Sequence, residues 1–334
     1  MTPVALTIAG SDPTGGAGLQ ADLKTFHQFG IYGEAVATLI TVQNGVRLSR
    51  VEVLAADLVC QQLEAVLEDI PPAAAKTGAL GSAAIVRALA VATQRFEFPL
   101  VVDPVLVSTH GRPLLPPEAF RCLAEELLPA AALVTPNIPE AEALTGIAIH
   151  GLEDGRRAAL RLHEMGARAV LLKGGHLAGD PVDLLFDGAA WREFPAPRIS
   201  TPHTHGTGCA YSAAITACLA QGLALPEAVA RAKRWIAEAI RTNPGLGRGA
   251  GPINHHAAIL EMSMTKVQIR FRLRQPLSDS LLQTIADVHS LYGIQRVRLS
   301  PAMDSITVEY DATRLRPAEV EAALTGAGID VEQA

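Results

Sequence analysis

The chain is 334 residues long, 49% hydrophobic, 19% charged and only 4% aromatic, which excludes a single small module and long disorder and calls for a large aliphatic core. Its 28 basic and 34 acidic residues leave a formal charge of −6, so the basic excess of a nucleic-acid binder is missing. Four cysteines, at 60, 122, 209 and 218, form no CxxC pair, which argues against a disulfide framework or a zinc site and for a reducing, cytoplasmic setting. The opening MTPVALTIAGSDP has no basic flank and does not resemble a signal peptide. No membrane span is expected, because Lys76 and Arg87 interrupt the alanine-rich stretch over 71–92.

In chain order, short aliphatic runs predict strands over 4–9, 35–41, 74–77, 100–102, 133–135 and 169–173. Helical spacing predicts helices over 18–29, 57–68, 82–95, 139–145, 152–165 and 208–221. This alternation implies an α/β fold, an open, mostly parallel sheet with helices on both faces. In such sheets ligands collect at the carboxyl ends of the strands, so the polar residues there carry the functional question. A glycine-rich stretch past 245 marks a boundary, giving a first domain over 1–258, a linker over 259–264 and a second domain over 265–334.

The second domain opens with a period-two strand over 265–274, with Val267, Ile269, Phe271 and Leu273 on one face and Arg270, Arg272 and Arg274 on the other. Ser278 is placed to cap a helix carrying Leu281, Leu282, Ile285, Val288 and Leu291, followed by strands over 295–299 and 305–310 around a turn at 301–304. A helix over 317–325 and a strand over 329–331 complete a small βαββαβ, ferredoxin-like domain. It is reminiscent of heavy-metal-associated modules, but no cysteine follows Cys218, so thiolate chelation of soft metals is excluded there. The three arginines either solvate the sheet or face an anionic metabolite.

Two loops stand out in the first domain. The loop over 10–18, GSDPTGGAG, lets a backbone approach a ligand and leads straight into a helix; its Gly16-x-Gly18-x-x-Ala21 fits a dinucleotide fingerprint only weakly, and no P-loop signature is present. The segment 204–209, THGTGC, precedes an alanine-rich helix whose first N–H groups, unobstructed by small residues, make a site for phosphate oxygens. Cys209 stands where the helix-end field would lower a thiol pKa, as a base or nucleophile requires; the alternative is a capping position holding a small buried thiol. Cys218 points to the opposite helix face and reads as packing.

The segments IAGSDPTGGAGLQADLKTF (8–26), TVQNGV (41–46), VVDPVLVSTHG (101–111), TPNIPEAEAL (135–144), LLKGGH (171–176), THGTGC (204–209) and GPINHH (251–256) closely resemble the hydroxymethylpyrimidine and phosphomethylpyrimidine kinases of thiamine biosynthesis, in the ribokinase-like superfamily. The resemblance covers 1–258 and not the second domain. It implies a ribokinase-like fold and phosphorylation, with ATP and Mg²⁺, of 4-amino-5-hydroxymethyl-2-methylpyrimidine and then of its monophosphate to the diphosphate. Cys209 would act as base, and Gly206, Thr207 and Gly208 as an anion hole. Gly10, Asp22, Gln43 and Ala79 would face the pyrimidine; Asn137, Lys173 and Asp103 would face the nucleotide; Glu140 would hold the metal. The expected partners are these small molecules, with no nucleic acid or membrane, in a homodimer.

Plainer readings stand beside these. Asp22 would charge its own helix, Gln43 end a strand in solvent, Asp103 cap a turn, Lys173 end its strand in water, and Glu140 serve as a helix-start acid. His205 is an alternative proton acceptor, and histidines 176, 203, 205, 255 and 256 would position loops or line the nucleotide cleft. Family members often carry methionine where Ala79 stands, so the pocket is expected to be roomier, which admits a pyridoxal or pyridoxine kinase as the alternative function. The STHGR loop over 108–112 is a candidate lid. A third alternative, an idle pyrimidine sensor with the second domain as output, is opposed by the presence of Cys209, Glu140 and Lys173.

Overall fold

The structure is a computed structural model in which residues 2–259, 266–275, 278, 281–282, 284–285, 294–300, 302–311 and 317–333 are described. The chain divides into two compact units, Met1–Ile259 and Leu260–Ala334. No helix among the described residues is long and apolar enough to cross a membrane.

The first unit is built on a nine-stranded sheet: β1 (Val4–Ser11), β2 (Tyr32–Gln43), β3 (Leu48–Val53), β4 (Ala74–Thr77), β5 (Leu100–Val102), β6 (Leu133–Val134), β7 (Val170–Leu172), β8 (Val182–Phe186) and β9 (Trp191–Pro195). Their spatial order is β3-β2-β1-β4-β5-β6-β7-β8-β9. From β2 through β7 neighbours run parallel, while β3, β8 and β9 pair antiparallel at the margins. The central strands are apolar on both sides because both faces are covered. Leu6, Val102 and Val134 meet a core with α2 (Ala56–Asp69), α3 (Ala83–Ala92), α4 (Pro117–Cys122), α5 (Ile138–Thr145) and α6 (Leu152–Glu164). Ala5, Val101 and Leu133 meet α1 (Gly18–Gln28), α7 (Thr207–Ala220) and α8 (Leu225–Arg241), where buried Trp235 packs edge-on against Phe29 at 5.3 Å.

After β1 the chain builds outward to β2 and β3, then crosses back to place β4 on the other side of β1. This reversal opens a crevice at the carboxyl ends of β1 and β4, where open α/β sheets hold ligands. The expected strands all appear, at 74–77 and 100–102 with the same bounds. The three antiparallel strands were not among those expected, for a physical reason. LSRVEV and WREFP are partly solvated margins carrying Arg50, Glu52, Arg192 and Glu193, and β8 is interrupted by Asp183, so none presents an apolar run. Asp183 is tolerated in the core because Lys233 and the Gly174 amide both donate to it.

In the second unit β10 (Lys266–Leu273), β11 (Ile294–Leu299), β12 (Ser305–Asp311) and β13 (Val331–Gln333) form an antiparallel sheet of order β11-β12-β10-β13. Phe271, Ile306 and Val308 pack on Val320 and Leu324 of the helix Pro317–Gly326, leaving Arg270, Arg272 and Arg274 exposed as their alternation predicts. Ser278 Oγ accepts from the Leu281 amide at 3.2 Å, the expected cap. The last strand lies at Val331–Gln333 rather than over 329–331. The expected positions 260–264 of the linker, Pro301 of the turn, and Val288 and Leu291 of the helix lie outside the described residues.

Because each unit has its own apolar core, a chain ending at Ile259 is expected to fold with a single cooperative thermal transition, read by circular dichroism. An insoluble or non-cooperative product would contradict the independence of the first unit.

Candidate active site

A cavity of about 780 Å³ occupies the crevice. Every residue expected at the site except Asp22 lines it: Gly10, Gln43 and Ala79 toward β1, β2 and β4; Gly206, Thr207, Gly208 and Cys209 at the start of α7; and Asp103, Asn137, Glu140 and Lys173 beyond β5, β6 and β7.

The start of α7 is shaped by glycine. Gly206 adopts φ 79°, and a Cβ there would lie 1.7 Å from the Gly16 carbonyl oxygen, so the THGTGC turn and the loop after β1 can touch only without a side chain. Gly18, at φ 57°, is held the same way against the Gly10 carbonyl. Ala210 donates the first helical bond, to Gly206, so the amides of Gly208 and Cys209 find no backbone acceptor and open the helix toward the cavity. Those donors, at the positive end of a 14-residue helix, suit an anionic phosphoryl group.

Behind this turn lie two buried ion pairs. Lys173 Nζ donates to Asp103 Oδ1 at 2.9 Å, and Asp103 also accepts from Thr135 and from Ser212 on α7. Burial pushes Asp103 up, but Lys173 and then Lys76 outweigh it and hold the carboxyl below the usual range. The second pair is Lys76 with Asp22, at 2.9 Å and without exposure. Asp22, expected to face the pyrimidine, does not line the cavity: its oxygens accept from Thr7 Oγ1 and Lys76 Nζ. It lies past the first turn of α1, so it does not charge that helix start either. Burial raises Asp22 against the pull of Lys76, while for Lys76 the lowering by burial is outweighed by Asp22, Cys209 and Asp103 together, which raise it. The geometry decides between the two: a carboxylate accepting on both oxygens is the ionised partner, and the proton sits on the lysine.

Cys209 lines the cavity as expected, but its thiol is not acidic. Burial pushes it up to about 11 against the attraction of Lys76, with Asp22 and Asp103 adding to the rise. The helix-end field loses to desolvation. His205 is not a free proton acceptor: Nε2 meets Asp12 Oδ2 at 2.9 Å and Nδ1 meets Thr109 Oγ1 at 3.0 Å. It links the loop after β1 to the STHGR loop instead. Of the other histidines only His176 reaches the cavity wall, while His203, His255 and His256 do not line it.

Glu140 is the helix-start acid of its plainer reading. Its Oε2 accepts from the Asn137 amide while Asn137 Oδ1 accepts from the Glu140 amide, a complete capping box at the start of α5. Among the described residues nothing donates to the other carboxylate oxygen, and Glu140 lines a cavity that Asp103 also lines. Burial raises Glu140 to about 7, Lys173 opposing and Asp103 adding. No cluster of three or more His, Cys, Asp or Glu among the described residues could hold a metal alone. The pair of hard carboxylates still fits a cation such as Mg²⁺, which keeps waters and shares phosphate oxygens.

The sequence reading missed Lys76, Asp12 and Ser212. A lysine inside the apolar strand AAKT was the available signal for the first, since lysine is rarely buried unpaired. It also missed Ala196, Pro197, Ile199, Ile236 and Ile240, which give the same cavity an apolar slot.

A family model described as phosphomethylpyrimidine kinase matches residues 12–254. The hydroxymethylpyrimidine/phosphomethylpyrimidine kinase of Rhizobium meliloti is 48% identical over 259 residues, 76% of this chain and 97% of that one. The thiamine biosynthesis bifunctional protein ThiED of Geobacter sulfurreducens is 53% identical over 252 residues, 75% of this chain, and the chain spans 51% of that relative's length. Among solved structures, pyridoxal kinase from Staphylococcus aureus in complex with AMP-PCP and pyridoxal superposes with a TM-score of 0.72 at 36% identity, covering 77% of this chain and 94% of that one. Phosphomethylpyrimidine kinase from Clostridium difficile gives 0.65 at 44% identity, covering 72% and 100%.

Two outcomes follow from this geometry. Gly206→Ala is expected to destabilise by more than about 2 kcal/mol, strain and backbone contact acting together, and an unchanged melting temperature would refute the turn. Glu140 holds its proton more tightly when folded, so its contribution is complete below its ordinary value of 4.5 and is lost as pH rises through about 7. Denaturant titrations of Glu140→Gln should therefore decline less between pH 5 and pH 7 than the parent, and parallel curves would contradict the raised carboxyl.

Proposed function

The chain belongs to the phosphomethylpyrimidine kinase family, and from that premise we propose that this cavity transfers the γ-phosphoryl group of ATP to 4-amino-5-hydroxymethyl-2-methylpyrimidine and then to its monophosphate, in thiamine biosynthesis. The observation that carries the reading is the open start of α7. The unpaired amides of Gly208 and Cys209, with Lys173 beside them, line one cavity together with Gln43, Ala79 and its apolar slot. The pyrimidine lies against Gln43 and Ala79. The Gln43 side chain, on the cavity wall, reads the aminopyrimidine edge, and Gly10 and Ala79 leave room for the ring. Adenine fits the slot between Ile199 and Ile240, with Asn137, Lys173 and Asp103 on the phosphate side.

The hydroxymethyl oxygen attacks the γ-phosphorus, its proton passes to the Cys209 sulfur, and the bond to the β-phosphate oxygen breaks as ADP leaves. The helix-start amides of Gly208 and Cys209 cradle the transferring group, Gly206 and Thr207 shape the turn that presents them, and Lys173 neutralises the charge. Glu140, with Asp103, would hold Mg²⁺, which supplies further neutralisation of the phosphates when bound. The four free thiols suit a reducing cytoplasm, and a homodimer, read as twice the chain mass by light scattering, belongs to the same reading.

A vitamin B6 kinase is the second reading, favoured by the small Ala79 wall and by the likeness to pyridoxal kinases. The second unit we read as ferredoxin-like, akin to heavy-metal-associated modules but without thiols; the order β11-β12-β10-β13 and the helix Pro317–Gly326 support this.

Coupled ADP release with ATP, Mg²⁺ and each acceptor tests the function: turnover with the pyrimidine and its monophosphate exceeding that with pyridoxal supports the main reading, and the reverse order supports the second. Cys209→Ala is expected to lower kcat by about 10² or more with KM changed less than about threefold. The thiol must lose its proton before it accepts one, so kcat of the parent should rise as pH increases from 7 toward about 11. A flat profile, or near-normal turnover in Cys209→Ala, would reject the base.

A further inference from the structure

The phosphoryl transfer described above makes no use of the Asp22–Lys76 pair, yet its ammonium stands directly behind the residue proposed as base. Lys76 Nζ is 2.9 Å from Asp22 Oδ1 and 3.3 Å from the Cys209 carbonyl oxygen, and neither charged side chain has any exposure. A desolvated ion pair gains little stability over an apolar filling of the same volume, so the pair's place is better explained by the field it supplies than by the contacts it makes.

We propose that Lys76 is a positioning residue of the kinase: its buried ammonium is the counter-charge of the Cys209 thiolate, and Asp22, fixed by Thr7, sets how much of that charge the sulfur feels. This rests on Cys209 as the proton acceptor. The charged groups acting on the sulfur come from several elements: Lys76 on β4, Asp22 on α1, Asp103 after β5 and Lys173 after β7, with the Gly18 amide as a hydrogen-bond donor at the start of α1. Lys76 is the largest attraction holding the thiol down, whereas Asp22 and Asp103 push it up. In the step itself the thiol first yields its proton to solvent. The thiolate then takes the acceptor hydroxyl's proton as that oxygen bonds to phosphorus, and the electron pair leaves with the β-phosphate oxygen. Lys76 keeps its proton throughout, so its role is electrostatic.

The two partners act on the sulfur with opposite sign, which separates this role from a structural one. The test is the pH dependence of Cys209 alkylation by iodoacetamide in the full chain, resolved by peptide, with half-buried Cys60 on α2 as internal reference. Lys76→Met is expected to move the midpoint up by about one unit or more, lowering the thiolate fraction about tenfold. The same variant should lose about tenfold or more in kcat with KM for ATP and pyrimidine within about threefold. Asp22→Asn is expected to move the midpoint down. If Lys76→Met does not fold, Lys76→Met/Asp22→Asn, a neutral pair of similar shape, should still show the upward shift and the kcat loss. Midpoints unchanged in folded variants, or shifted the same way in both single variants, would overturn the proposal. A thiol that shifts as stated while kcat stays at the parent value would leave the counter-charge standing and reject Cys209 as the acceptor.

Discussion

Lys76 and Asp22 meet at 2.9 Å with neither side chain exposed, and the site is assembled around that contact. One carboxylate oxygen takes the Lys76 ammonium of β4 and the other the Thr7 hydroxyl of β1, while the same ammonium reaches the Cys209 carbonyl at the first turn of α7. Two sheet strands and two helices on one face are thereby tied to a single charge. A surface pair such as Arg50–Glu52 constrains nothing comparable, because solvent screens it and its side chains are free to move. Breaking a buried pair on one side leaves an uncompensated charge, so the register of α7 against the sheet is strongly specified.

The second pair, Lys173 with Asp103, holds the other flank of the same turn through Ser212. Between the pairs the helix start is narrowed to backbone by glycine: Gly206 touches the loop after β1, and a Cβ on Gly208 would lie 3.2 Å from Lys173 Nζ. Asp12, accepting from Thr14, Ala17 and His205, organises that loop, and through His205 and Thr109 it reaches the STHGR segment. The phosphoryl cradle is thus enclosed by fixed dipoles and paired charges, an arrangement that stabilises developing charge without reorganising at the moment of reaction.

Much of this was legible in the sequence because it is local. The alternation of apolar runs and helical spacing gave the central parallel strands, and small residues around 204–209 marked the open helix start. Asn137 and Glu140 were readable as a helix start, which their capping box bears out, and both also line the cavity. What escaped depends on contacts between distant residues. Asp22 looked like a ligand reader, but its partner lies 54 positions away on β4, and only the fold reveals that both its oxygens are taken. The Cys209 thiol looked acidic from its place on the helix, but desolvation, a property of the whole packed site, outweighs the local field. The marginal strands β3 and β9 escaped because solvated edges need no apolar pattern, and β8 because Asp183 interrupts its buried run.

The central claim is that the start of α7 receives the donated phosphoryl group beside a sulfur that takes the acceptor's proton. A crystal structure with AMP-PCP and the hydroxymethylpyrimidine bound tests it most directly. The account predicts the γ-phosphate on the amides of Gly208 and Cys209, with the acceptor hydroxyl between phosphorus and the Cys209 sulfur. A triphosphate tail lodged away from α7, or a hydroxyl pointing from the sulfur toward another base, would contradict it.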